Sequence, residues 1–328
     1  MGAPMGPAES VLAATVARRH FLLGEPKIEI AERLGINRFK VARLLEAARE
    51  CGMVKIEITS PGQVDLDLSA RLKDALGLVH CAVVLGHDTA DMADLGSRGA
   101  VAAELLAETL RDGDILGLPW SRSVLEMTTH LTSLPRVQVI QLSGAMEMPG
   151  FDASSVDIVR ATARVGDGEA VIFHAPFILD DPEVAHSIRR QPSVAEGLTA
   201  ATTATHAVVG IGAWAADSST LYALATSSER EEAAQAGVIG ETAGVFFDEG
   251  GNTIPMSLTD RMITVSGAQL RAIPEVIAIA GGAGKAEVML AAARGGLING
   301  VVLDTALADA ILRVVDSTAS EPDVSAAT

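Results

Sequence analysis

KIEIAERLGINRFKVARLL, residues 27–45, is the stretch whose reading decides how this chain is organised. Read as two short helices, it places apolar residues at Ile30, Leu34, Val41 and Leu44, a small Ala31 where two backbones approach, and Gly35 at the break. Glycine there supplies the left-handed backbone that ends a helix, and Ile36 then plugs the angle between the two. Asn37 is expected to cap the second helix by offering its side-chain oxygen to the free N–H groups of the first turn. The second helix then presents Asn37, Arg38, Phe39, Lys40 and Arg43 outward and turns Val41, Leu44 and Leu45 inward. A helix with its N-terminal polar residues exposed is what enters a DNA major groove. A plain helical hairpin shares the angle and the glycine. The cap, the inward set and the basic outer residues together favour the helix-turn-helix.

Working outward, residues 10–23, SVLAATVARRHFLL, have helical spacing at Val11, Ala14 or Thr15, and Leu22, and are expected to brace the motif. Pro26 sits where a helix can begin. Cys51-Gly52 closes the second helix of the motif, and VKIEI at 54–58 is expected as a wing strand. Ser60-Pro61-Gly62 then breaks the chain. The Gly-, Pro- and Ala-rich residues 1–8 and the polar tail from Ser317 are expected to be disordered. The expected organisation is thus a DNA-binding domain at 1–60, a linking helix at 61–77, a second, larger domain at 78–316 and a tail at 317–328.

The charge is unevenly divided. The whole chain of 328 residues carries −17, yet residues 1–60 hold nine Lys and Arg against seven Asp and Glu, leaving 16 against 35 in the remainder. Basic charge is therefore concentrated where phosphate contacts would be needed, on a body that DNA would repel. A chain of this length is comfortable for two domains. It has no apolar run of the roughly 18 to 20 residues that a membrane span needs and no signal-peptide order at its start, so a cytoplasmic location without membrane contact is expected. Cys51 and Cys81 stand alone, with no CxxC and no histidine at ligand spacing, so neither a disulfide framework nor a metal site is expected. The seven histidines are scattered and read as ordinary surface or core residues.

Beyond residue 77 the chain alternates. Apolar runs at 78–86, 114–118, 137–142, 169–173, 206–211, 244–247, 261–265, 275–282 and 300–304 read as strands. Helices fill the gaps, most clearly at 93–110, 122–131, 182–190, 193–202, 285–294 and 305–313. Strands apolar throughout and separated by helices imply a mainly parallel sheet covered on both faces, hence an open α/β body. Ligands in such sheets sit beyond the carboxyl ends of the strands.

That rule selects four loops. GLPWSRSV, 117–124, brings Ser121, Arg122 and Ser123 to a helix N-terminus, where free N–H groups, hydroxyls and a guanidinium suit a phosphate or carboxylate. Trp120 there is as suited to packing as to stacking on a sugar ring. LSGA, 142–145, has Gly144 to let backbone approach a ligand. IAGGAGKAE, 279–287, is a glycine-rich turn with Gly282 and, in the first turn of its helix, Lys285. GETAGVFFDEGG carries Glu241 and Asp248. The third loop is neither a Walker loop nor a dinucleotide fingerprint, and no cofactor is expected.

Taken in order, IAERLGINRFKVARLLEAARECGMVKIEI, DILGLPWSRSV, VQVIQLSGA, GVIGETAGVFFDEGGNTI, LTDRMITVSGAQLRAIPEVIAIAGGAGKAEVML and GGLINGVVLDTALADAIL resemble the SorC/DeoR-type sugar-binding transcriptional regulators over about residues 10–315, most specifically at 258–307. The resemblance implies a winged helix-turn-helix joined to an effector domain similar to ribose-5-phosphate isomerase and glucosamine-6-phosphate deaminase. It implies operator DNA as partner, a phosphorylated sugar or sugar alcohol as effector, and a homodimer or homotetramer. Trp120 to Ser123 stand where the family usually has WGRT, Ser143-Gly144-Ala145 where it often has NGG, Arg261 at its NDR-like segment and Lys285 at the Lys of GGxGK. Ser121 replaces Gly, Ala145 replaces Gly, and Glu241 replaces a usual Asp. With Ser143 the second loop holds no lysine, so effector binding is expected to be reversible rather than covalent. The expectation is a repressor of a carbohydrate catabolic operon with no catalytic residues. The alternative is a sugar-phosphate isomerase or deaminase with an accessory head, for which Asp248 or Glu241 would be the base.

Overall fold

The computed structural model describes residues 6–54, 63–86, 92–146 and 153–319. The chain divides into two compact units, Met1–Thr59 and Ser60–Thr328.

In the first unit, α1 (Pro7–Ala17) runs into a π-helical turn (Arg18–Leu22), followed by α2 (Lys27–Leu34) and α3 (Arg38–Glu50). Gly35 takes the left-handed conformation at φ 62°, and the Asn37 side chain accepts the Lys40 N–H at 2.8 Å. Such a cap is worth about 1 kcal/mol. Ile30, Ala31, Val41, Leu44, Leu45 and Ala48 are buried together, with Leu34 and Ile36 packed against them. The first helix differs from expectation. Its buried stripe is Ala13, Val16 and Ala17, whereas Val11 is 69% and Leu22 is 75% exposed. The π turn adds a residue to the helical repeat and carries Leu22 away from the stripe. The wing expected at 54–58 lies, beyond Val54, outside the described residues, as does the Ser60-Pro61-Gly62 break.

The second unit is built on an eight-stranded sheet in the order β1-β2-β11-β10-β6-β3-β4-β5. The strands are β1 (Val64–Asp65), β2 (His80–Val84), β3 (Ile115–Leu118), β4 (Gln138–Gln141), β5 (Glu169–Val171), β6 (His206–Gly210), β10 (Glu275–Ile279) and β11 (Gly300–Asp304). All pairings are parallel except that of β1 with β2. A separate antiparallel sheet joins β7 (Gly212–Ala213), β8 (Gly240–Thr242) and β9 (Val245–Phe247). Alternate strand residues feed two cores. Val83, Val209, Ala278 and Val301 pack with α4 (Leu66–Leu76), α14 (Ala286–Arg294) and α15 (Thr305–Ala319). Val84, Leu116, Val208 and Ile277 pack with α5 (Met92–Thr109), α6 (Arg122–His130) and α7 (Ser155–Val165). Consecutive apolar residues at the centres of the strands are thereby accommodated in a sheet buried on both faces.

Two expected strands are corrected. Residues 245–247 belong to the small antiparallel sheet, and 261–265 form no strand. Met262 bridges Ile178 while Thr264 bridges Ser143, so the hydrogen bonds of this segment are shared between two partners and neither ladder extends. Similarly, Pro7 and Ala8 already belong to α1, and Ser317 to Ala319 complete α15 rather than start the tail.

Candidate functional site

A cleft lies at the carboxyl edge of the parallel sheet, where the loops after β3, β6 and β10 meet the β8–β9 hairpin. From the first loop come Pro119 to Ser123, and from the second Gly210 to Gly212 together with Ser218 to Leu221. Lys285 enters from the third, and Glu241, Ala243 and Gly244 from the hairpin. Met146 and Phe177 add apolar surface.

Ser121 is the N-cap of α6, its hydroxyl accepting the Val124 N–H at 3.1 Å. Arg122 is exposed and Ser123 half-buried in the first turn, at the end of the helix that favours an anion. The Ser219 hydroxyl donates to Glu241 Oε1 at 3.0 Å, and Lys285 Nζ donates to the Ile211 carbonyl at 2.8 Å. Burial pushes the Glu241 carboxyl up to about 7, against the Ser219 hydrogen bond and the charge of Lys285. Burial, then the charge of Arg122, pushes Lys285 down to about 8. Both groups therefore sit where a ligand charge decides their protonation. The hairpin turn places Ala243 at φ 49° and Gly244 at φ 83°. Left-handed backbone at a non-glycine residue costs on the order of 1–3 kcal/mol, and such positions cluster at ligand sites.

The loop of Lys285 is held from behind. Asp304, the last residue of β11, accepts the Gly282 N–H at 2.8 Å and the Arg98 guanidinium at 2.9 Å on one oxygen. Its other oxygen caps α15 by accepting the Leu307 N–H at 2.8 Å.

Trp120, Ser121, Arg122, Ser123, Glu241 and Lys285 thus come together. Ser143, Gly144, Ala145, Asp248, Arg261 and Gly282 do not line this cleft. The buried Ser143 hydroxyl accepts the Trp120 N–H at 3.1 Å. Gly144 is small for a different reason than expected, since a Cβ there would lie 2.4 Å from the Pro176 carbonyl oxygen. Close approach of two backbones, locked by the Ala145–Phe177 hydrogen bonding, demands the glycine. Asp248 accepts the Asn252 N–H at 2.8 Å within its own turn. Arg261 makes two bonds to Glu229, at 2.9 and 3.0 Å, and Glu229 in turn accepts the Thr226 N–H that precedes α11 (Ser227–Ala236). Trp120 is largely packing, buried with its Nε1 donating to the Ala153 carbonyl at 2.9 Å.

Residues 61–313 match the family described as "Putative sugar-binding domain". A transcriptional regulator LsrR from Klebsiella pneumoniae subsp. pneumoniae is 31% identical over 313 residues, covering 93% of this chain and 94% of its own. One from Escherichia coli (strain SMS-3-5 / SECEC) is 30% identical over 315 residues, covering 94% and 96%. The chain belongs to the SorC/DeoR-type sugar-binding transcriptional regulators. The crystal structure of the full-length sorbitol operon regulator SorC from Klebsiella pneumoniae shares the fold, with a TM-score of 0.69 at 24% identity over 93% of this chain and 99% of that one. In this regulator, sequence reasoning overlooked Ser218, Ser219 and Thr220 and the anchors Arg98 and Asp304. The signal was present for the first group. HAVVGI reads as a strand, and the rule that picks loops beyond carboxyl ends applies equally to the loop after it. Among the described residues, no helix is long and apolar enough to cross a membrane.

Proposed function

We propose that this regulator binds operator DNA through its first unit and a phosphorylated sugar or sugar alcohol in the cleft of its second, and that it represses a carbohydrate catabolic operon from the cytoplasm. The observation that carries the effector class is the meeting of two cations, Arg122 and Lys285, with the hydroxyls of Ser123, Ser219 and Thr220 at a helix N-terminus. Cations and helix N–H groups suit the phosphate, while hydroxyls and the Glu241 carboxyl suit sugar hydroxyls. Binding is reversible, held by charge and hydrogen bonds.

On the first unit, Arg38, Lys40 and Arg43 contact the DNA backbone or base edges, with Asn37 and Phe39 beside them. A homodimer presents two such heads and a homotetramer four, and the effector acts by preferring one arrangement of them, since only a difference in affinity shifts an equilibrium. The test is a gel-shift of the full chain on its own upstream DNA at fixed salt, with and without a panel of sugar phosphates and free sugars. A specific shift altered by a sugar phosphate and not by its free sugar supports the reading. Turnover of a sugar phosphate by protein that shifts no DNA would replace it with the isomerase or deaminase alternative.

A further inference from the structure

The helix assigned to DNA carries a large apolar side chain on its outside. Phe39, the second residue of α3, is 71% exposed. At 100° per residue the buried stripe of Val41, Leu44, Leu45 and Ala48 is centred opposite Phe39, with Arg43 on the Phe39 face. Arg38 and Lys40 fall about 100° to either side of it. The Arg38 guanidinium stands over the Phe39 ring, 4.9 Å from its centroid, which steadies the ring without covering its outer edge. Asn37, the other candidate for base edges, has its side-chain oxygen engaged by the Lys40 N–H at 2.8 Å. That bond ties the Asn37 side chain to the first turn of its own helix and leaves Phe39 as the large side chain standing outward.

An apolar ring at the centre of a face flanked by cations matches a major groove, whose walls are phosphate and whose apolar floor groups are the 5-methyls of thymine. We infer that Phe39 determines operator specificity by packing on thymine methyl groups, with Arg38 and Lys40 reaching phosphates on either side. This rests on the operator-binding reading above, and the test separates the two.

The upstream DNA fragment is amplified once with thymidine and once with deoxyuridine, which removes every 5-methyl and keeps the hydrogen-bonding edges. Both are titrated with the full-length wild type, Phe39→Ala, Phe39→Leu and Lys40→Ala. Wild type is expected to bind the deoxyuridine fragment about fourfold or more weakly, the scale of losing one buried methyl-sized group. Phe39→Ala should weaken binding to the thymidine fragment and bind both fragments alike. Phe39→Leu should keep part of the difference, and Lys40→Ala should weaken both fragments by the same factor. Equal wild-type affinity for the two fragments overturns the inference, as does a Phe39→Ala variant that still distinguishes them. A Phe39→Ala variant that alters sedimentation while leaving the methyl dependence intact also overturns it, and assigns the ring to contact between copies. No specific wild-type shift on the thymidine fragment overturns the operator reading itself, and this inference with it.

Discussion

The two edges of the eight-stranded sheet both gather polar residues from strands far apart in sequence, and they treat them oppositely. At the amino edge, His80 Nε2 lies 2.9 Å and His206 Nε2 3.5 Å from the same oxygen of Glu275. Thr205 bonds the other nitrogen of His206 at 2.9 Å, and Asn299 bonds the Val276 N–H at 2.8 Å and the Pro274 carbonyl at 2.7 Å. These groups answer one another. At the carboxyl edge, Lys285 spends one of its three donors on Ile211, Glu241 takes one hydroxyl, and Arg122 is exposed beside them. Arg98 and Asp304 pair with each other behind the cleft at 2.9 Å, whereas Lys285, Arg122 and Glu241 make no direct ion pair among the described residues, beside a turn that holds Ala243 in left-handed backbone. The same sheet thus closes one end and leaves the other open, at the edge where the effector is proposed to bind.

The contrast can be broken by mutation. The largest effect is expected at Arg261, which the family resemblance marks for the effector and the structure ties to the buried Glu229. Removing one partner of a buried pair costs about 3 kcal/mol. Arg261→Ala should show that loss in urea denaturation, with effector affinity in the surviving folded protein unchanged. If effector affinity falls and stability does not, the arginine belongs to the site. Next comes Glu275→Ala at the closed edge. Its pair is partly exposed, so a cost of about 1 kcal/mol is expected. Thermal melts with and without effector should shift in parallel, and a loss of effector response would place a second ligand at that edge.

The open edge should also respond to pH. A bound phosphate favours Lys285 charged and Glu241 neutral, so protons are taken up and affinity rises as pH falls from about 8 to about 7. Calorimetry in buffers of different ionisation enthalpy reads this uptake, and Glu241→Gln should abolish the part near pH 7. For stability the sign is separate. Folding raises the Glu241 value from 4.5 to about 7, so the unfolded chain loses that proton first and stability falls as pH rises through this range. Glu241→Gln should therefore melt higher than wild type at pH 8, and a lower melt would show that ionised Glu241 is better solvated than its burial implies. The smallest effect belongs to Ser121→Gly, which restores the usual family residue and exchanges one acceptable cap for another. A change of a few tenths of a kcal/mol is expected, and a large gain in effector affinity would show that the Ser121 side chain obstructs the site.

Much of this was legible in the sequence, and the reasons are local. The left-handed Gly35, the Asn37 cap and the inward face of α3 are each fixed by residues within one turn of one another. Strands such as β11 are visible because Val301, Val302 and Leu303 form a short apolar run, rich in β-branched valine, between a glycine and an aspartate. The open edge was found in part for the same reason, since Ser121 to Ser123 begin a helix straight after a strand. The hidden part depends on pairing at long range. His80 and His206 meet Glu275 across 195 and 69 residues, and no spacing announces it. Asp248 was named as a site residue because it stands in a loop, where charged groups often serve function, and Arg261 because the family resemblance marks its position. Which carboxylate an arginine finds is set by tertiary packing alone. Gly144 was assigned to a ligand and belongs to a backbone crossing, a distinction that one sequence does not carry.

The central claim is that the open edge reads the effector and the helix-turn-helix reads the operator, so one can be silenced without the other. The most direct test is operator affinity of wild type and Lys285→Met, measured by fluorescence anisotropy on the upstream DNA with and without the responding sugar phosphate. The account predicts equal operator affinity for the two proteins without effector, and a response to effector weakened at least tenfold in the variant, the scale of one charged hydrogen bond. An unchanged effector response in Lys285→Met would contradict it.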